Sequence, residues 1–129
     1  MKGPRDHALA LLAKAAHDLV AARAVIATGE ALDTVCFHAQ QAAEKALKAL
    51  LALQDVDYPW RHDMGELVEL VRTHYPKLEL PAEQLAELSP YAVEARYDDA
   101  WAPDVQEARQ ALEVAQRMCE LVEPVVNAT

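Results

Sequence analysis

The chain has 129 residues, 53% of them apolar and only 5% aromatic, so a disordered chain is excluded and any core is built mainly from Ala, Leu and Val. Its three glycines, Gly3, Gly29 and Gly65, lie too far apart for a phosphate loop and are too few for the hairpins of a multi-stranded sheet. The formal charge of −9 is uneven: residues 1–54 hold six basic and five acidic groups, and residues 55–129 hold six and sixteen. No Lys/Arg stripe is present to neutralise phosphates, so extensive nucleic-acid binding by the isolated chain is not expected.

The chain reads as one all-α domain over residues 1–129. Its expected architecture is an up-and-down helical bundle of three long helices plus one or two short ones. The first helix is expected from about Asp6 to Thr28, on the three-four spacing of Leu9, Leu12, Ala16, Leu19, Arg23 and Ile26. Gly29 is its natural stop. On that stripe Arg23 is the one charge, and reads as a rim residue whose stem packs while its guanidinium reaches water.

The second helix runs from Leu32 or Asp33 to Gln54, with Val35, Ala39, Ala42, Ala46 and Leu50 on one face and Ala43, Leu47 and Leu51 beside it. Asp55 to His62 break the pattern. Asp63 with Glu66 then caps a short helix carrying Leu67, Leu70 and Val71, which Tyr75-Pro76 ends. Pro81 opens another with Leu85 and Leu88, and Ser89-Pro90 restarts or kinks it, with Ser89 expected as a helix N-cap. The last helix opens at Pro103 with Asp104 and Glu107 near its positive end. It turns Val105, Ala108, Leu112, Ala115, Met118 or Cys119 and Val122 inward, and stops at Pro124.

Several chemistries are absent from this pattern. None of His7, His17, His38, His62 and His74 follows a Glu by three residues, and no two have metal-ligand spacing on one helical turn, so no metal site and no cofactor is expected. Cys36 and Cys119 read as buried small hydrophobes, not as a disulfide. No run is long enough for a signal sequence or a membrane span, so the expected location is cytoplasmic, without a membrane partner.

The most informative stretch is Phe37 to Leu51, FHAQQAAEKALKALL. Phe37, Gln41, Glu44 and Lys48 share a helix face. Such a row is either a solvated surface, a polar seam between helices or the floor of a groove, while Lys45 is expected to point away as plain surface. This string, with His62 opening a helix and Leu88-Ser89-Pro90 running into Ala95-Arg96-Tyr97-Asp98, resembles the HEPN domain family over nearly the whole chain.

The resemblance implies a helical bundle of four to five helices that often forms a homodimer. It also implies either a nucleotide-associated role or partnership with a minimal nucleotidyltransferase, in a toxin–antitoxin-like pair. Many HEPN proteins are metal-independent ribonucleases using Arg-x4–6-His, and here no histidine follows Arg96 at that spacing. The expected function is therefore a non-catalytic HEPN domain with no catalytic residues. Its candidate ligand residues are Gln41, Glu44, Lys48, Arg96 and Tyr97: Lys48 and Arg96 for phosphate oxygens and Tyr97 for stacking on a base. One alternative is a ribonuclease toxin with a degenerate motif, in which His38 or His62 moves the proton and Arg96 stabilises phosphate charge. The other is a structural dimerisation module.

Overall fold

The computed structural model describes residues 2–58 and 63–128, with the backbone alone at Arg96. Six helices are formed among them: α1 (Pro4–Ile26), α2 (Leu32–Leu53), α3 (Met64–His74), α4 (Ala82–Leu88), α5 (Tyr91–Tyr97) and α6 (Val105–Asn127). The described residues contain no strand. The fold is the expected all-helical bundle built on three long helices, α1, α2 and α6.

Local chemistry sets most boundaries. Pro4 stands at the first turn of α1, where its missing N–H costs nothing, and Asp6 reaches back to accept from the Gly3 N–H at 2.9 Å. Asp63 accepts from the Glu66 N–H at 3.2 Å, the expected cap, while Asp104 accepts from the Glu107 N–H at 2.8 Å and so caps α6, which starts at Val105 and not at Pro103. Between α1 and α2 the chain turns through two left-handed residues, Gly29 (φ 72°) and Ala31 (φ 52°). Ser89-Pro90 separates α4 from α5, so the chain restarts a helix there instead of kinking one.

α2 is the central element. Val35, Cys36, Ala39, Ala42, Ala43, Leu47 and Leu50 are all fully buried and together form one wide apolar face. A face this wide needs several neighbours, and α1, α6 and the short helices pack against this helix. Each fully buried Leu contributes about 1.5–3 kcal/mol relative to exposure.

α6 is apolar on one side only, through Ala108, Leu112, Ala115, Met118, Val122 and Val126, with charged residues on the other. Trp101 to Pro103, which lead into α6, line one pocket with Leu32 and Asp33 at the start of α2, so these two helices begin at the same end and run parallel. α1 runs antiparallel to both, and α3 to α5 carry the chain back to the end where α6 begins.

Four local expectations are revised. The inward face of α1 is Ala8, Ala15, Asp18, Leu19 and Ala22; Ala16 and Arg23 are exposed, and Leu9 and Leu12 are only half-buried. α6 continues through Pro124 to Asn127, the proline costing the helix the one hydrogen bond that its missing N–H would have given to Glu120. Val105 is exposed at the start of α6. Ser89 does not cap its own helix. Its Oγ accepts from the Met64 N–H at 3.1 Å, tying the start of α3 to the end of α4.

A buried polar seam and a lysine cleft

The FHAQQAAEKALKALL stretch folds into the middle of α2, where close contact with α1 on one side takes its polar residues out of water. The row on α2 is a seam, not a solvated face. Gln40 is fully buried and Glu44 nearly so. Gln41 Nε2 donates to Gln40 Oε1 at 2.7 Å, and Gln40 Nε2 donates to Glu44 Oε1 at 2.9 Å. Lys48 Nζ closes the chain on Glu44 Oε2 at 2.9 Å. Burial makes each of these bonds obligatory, because an unpaired carboxylate there would cost several kcal/mol.

Lys45 is not plain surface. Its Nζ lies 2.6 Å from Oδ2 of Asp18, a nearly buried carboxylate on α1, whose Oδ1 is 2.8 Å from His38 Nδ1. The sequence places Lys45 one position off the Gln41–Glu44–Lys48 row, but a lysine stem is long enough to turn toward a carboxylate on the neighbouring helix. Asp18 thus holds His38 and Lys45, two turns apart on α2, against α1.

Both lysines open into one cleft of about 620 Å³ between the start of α1, the C-terminal half of α2 and the loop after it. Lys2, Lys45 and Lys48 line it together with Glu44, Asp55 and Asp57, so cations and anions match one for one in a chain otherwise strongly acidic. Tyr58 overhangs the cleft: Lys48 Nζ sits 5.3 Å from its ring centroid, a cation–π distance. His7 lies against the same ring, with centroids 6.2 Å apart and planes inclined by 17°, and its Nε2 is 2.9 Å from the Tyr58 hydroxyl. Burial raises the Tyr58 pKa, which keeps its hydroxyl protonated.

The five expected ligand residues are thus divided. Gln41, Glu44 and Lys48 are joined by hydrogen bonds along α2, and two of them, Glu44 and Lys48, line the cleft. Tyr97 is 75% exposed at the end of α5, and the described lining of the cleft includes no α5 residue. The Arg96 side chain lies outside the described residues, as do His62 and Trp60. Trp101 stacks on Tyr91, with centroids 5.2 Å apart. Sequence reasoning missed His7, Lys45 and Tyr58, and only the opposite charges of Asp18 and Lys45 offered a signal.

Comparison with known proteins gives the bundle its family. The model of the HEPN domain matches residues 8–125, nearly the full chain. The chain belongs to the HEPN domain family. Among solved structures, this HEPN domain resembles TT1696 from Thermus thermophilus, at 30% identity and a TM-score of 0.74, over 92% of this chain and 97% of that one. It also resembles ST0689, described as an archaeal HEPN homologue, at 25% identity and a TM-score of 0.69, over 98% of this chain and 99% of that one. No curated protein matches it. No helix among the described residues of this HEPN domain is long and apolar enough to cross a membrane.

Proposed function

We propose that this chain is a non-catalytic, nucleotide-binding HEPN domain that works as a homodimer beside a minimal nucleotidyltransferase. The observation that carries the reading is the cleft under Tyr58. There, two ammonium groups are fixed by nearly buried carboxylates beside an aromatic pair. Fixed cations need little reordering to receive phosphate oxygens, and His7 with Tyr58 offers flat surface for a base. The ligand residues in this reading are Lys45, Lys48, His7 and Tyr58, with Glu44 and Gln41 holding Lys48 in place. Tyr97 stays an exposed residue outside the cleft.

Isothermal titration with a panel of nucleotides and with inorganic phosphate tests the reading. At least one nucleotide should bind. Its affinity should fall about tenfold or more in Lys48→Gln and in Tyr58→Ala, with no change in Tyr97→Ala. The product of the neighbouring reading frame should co-purify. Silence across the panel together with no co-purifying partner sinks the proposal.

One observation favours a second reading, a ribonuclease with a substitute acid/base. Asp18 accepts from His38 Nδ1, an arrangement that orients an imidazole and leaves Nε2 to exchange a proton. It predicts RNA cleavage by the purified chain that His38→Ala abolishes; cleavage unchanged in that variant marks a contaminant.

A further inference from the structure

The cleft under Tyr58 holds groups that its two ammonium ions do not use. Lys45 reaches it already paired with Asp18, and Lys48 already paired with Glu44. What remains on the lining is one cation, Lys2, against two carboxylates, Asp55 and Asp57. Both carboxylates are exposed, and among the described residues neither accepts a hydrogen bond or joins an ion pair. Beyond its matched pairs the cleft is therefore negative.

Asp55 stands there against a backbone preference. The end of α2 is closed by two backbone bonds, from the Asp55 N–H to the Ala52 carbonyl and from the Val56 N–H to the Leu51 carbonyl, both 2.9 Å. This pattern puts the residue after the C-cap Gln54 in the left-handed region, a place that glycine normally takes. Asp55 occupies it with φ 55°. Aspartate tolerates that conformation better than most residues but less well than glycine. Local strain of this kind is kept where the side chain has a use, and this carboxylate lies on the cleft wall.

Groups that attract phosphate and groups that repel it thus share one wall. Phosphate oxygens suit Lys45 and Lys48. The Lys48 ammonium is only 5.3 Å from the Tyr58 ring centroid, so a phosphate on the lysine and a base against the ring are separated by little more than one sugar. The two carboxylates accept hydrogen bonds and donate none. They suit the hydroxyls of a ribose, as acidic residues do in other nucleotide sites, and they oppose any further phosphate.

We propose that the ligand of the cleft is a ribonucleoside 5′-monophosphate. Its one phosphate lies on Lys45 and Lys48, its base against Tyr58 and His7, and its ribose hydroxyls on Asp55 and Asp57. The inference rests on the nucleotide-binding reading and adds the class of nucleotide. A triphosphate brings a tetraanion into a cleft with no cations to spare, and a deoxyribonucleotide leaves a carboxylate without its donor. An RNA chain is disfavoured twice: its 3′ linkage consumes one of the hydroxyls, and its phosphates meet a chain of formal charge −9.

Isothermal titration in magnesium-free buffer compares AMP, GMP, CMP and UMP with their triphosphates and their 2′-deoxy forms. The monophosphate that binds tightest should exceed both its own triphosphate and its own 2′-deoxy form about tenfold in affinity. Asp55→Asn/Asp57→Asn keeps both exposed side chains near their size, and asparagine also accepts the left-handed region. In that variant the triphosphate should gain and the monophosphate lose, until the two differ by less than about threefold. Asp55→Gly should exchange part of the same discrimination for a higher melting temperature. Triphosphates that bind as tightly as monophosphates, deoxy forms that bind as tightly as ribo forms, or discrimination unchanged in the double variant overturn this assignment and leave the nucleotide site standing. Silence of every nucleotide overturns both.

Discussion

Asp18 and Lys45 meet at 2.6 Å across the α1–α2 interface, with the carboxylate nearly buried and the ammonium about a quarter exposed. The second oxygen of Asp18 is occupied by His38. Asp18→Ala removes the acceptor of both groups, which are exposed enough to recover part of their hydration. The expected loss is about 1–3 kcal/mol in urea denaturation, below the cost of stranding a fully buried charge. A variant within about 0.3 kcal/mol of the parent would mean that the clamp adds no stability.

Lys48 presents the harsher case. The Glu44 side chain is only 4% exposed, and Lys48→Met removes the ammonium that bonds its Oε2 at 2.9 Å. The expected destabilisation is about 3–5 kcal/mol. The double variant Glu44→Leu/Lys48→Met should regain most of it, because the buried carboxylate is then removed together with the ammonium that bonds it. A thermal or urea double-mutant cycle reads the coupling directly, and strict additivity of the two single changes would contradict it.

Neighbouring residues in the α1–α2 turn should respond with opposite signs. Gly29 has φ 72° and open space around any added Cβ, so Gly29→Ala is penalised by backbone strain alone, about 1 kcal/mol. Ala31 has φ 52° and already bears that strain. Ala31→Gly relieves it at the cost of a more flexible unfolded chain, for a net gain of about 0.5 kcal/mol. Melting temperatures of the two variants should fall on either side of the parent's.

Alkaline pH should loosen the bundle through its thiols. Burial, with smaller contributions from Glu107 and Asp33, pushes Cys36 from its ordinary 9.0 up to about 12, and burial pushes Cys119 up to about 11. Below pH 9 both thiols are neutral whether the chain is folded or not, and their contribution is fully present. As the pH rises past 9 the unfolded chain ionises them and the folded one does not. Stability therefore falls, by up to about 1.4 kcal/mol per pH unit for each thiol, until the folded values are reached. Urea titrations at pH 8, 9.5 and 10.5 should show a shallower decline for Cys36→Ala than for the parent. Parallel declines would show that Cys36 is not the group responsible.

Much of the fold was legible because its signals were local: the cap at Asp63, the stop at Gly29, and the long alanine-rich run of α2. The phase of α1 was not. Leu9, Leu12 and Leu19 suggested one inward face; Leu19 lies on it, but Ala8, Ala15 and Ala22 fill the rest, because a small side chain suits closely packed helices better than a large one. Hydrophobic periodicity loses its phase on a helix with apolar residues all round. The site was half legible for a related reason. Gln41, Glu44 and Lys48 share one helix face and could be grouped by spacing. Lys45 joins them only through Asp18 on another helix, and His7 and Tyr58 meet across fifty residues of chain, through a loop whose path no pattern specifies. Pro124 and Ser89 were misread where general preferences met particular surroundings: a final turn that tolerates proline, and a hydroxyl that serves a distant helix.

The parallel course of α2 and α6 has a consequence for how the chain emerges during synthesis. α1 and α2 can close on each other as soon as both have left the ribosome. The side of α2 that faces α6 then waits for roughly seventy further residues to be added, about 4–15 s at 5–20 residues per second. Throughout that interval the nascent hairpin displays an alanine- and leucine-rich flank with nothing to cover it. The final helix thus acts as the latch of the fold, and a stalled or truncated product lacking it would be a natural substrate for chaperones and proteases.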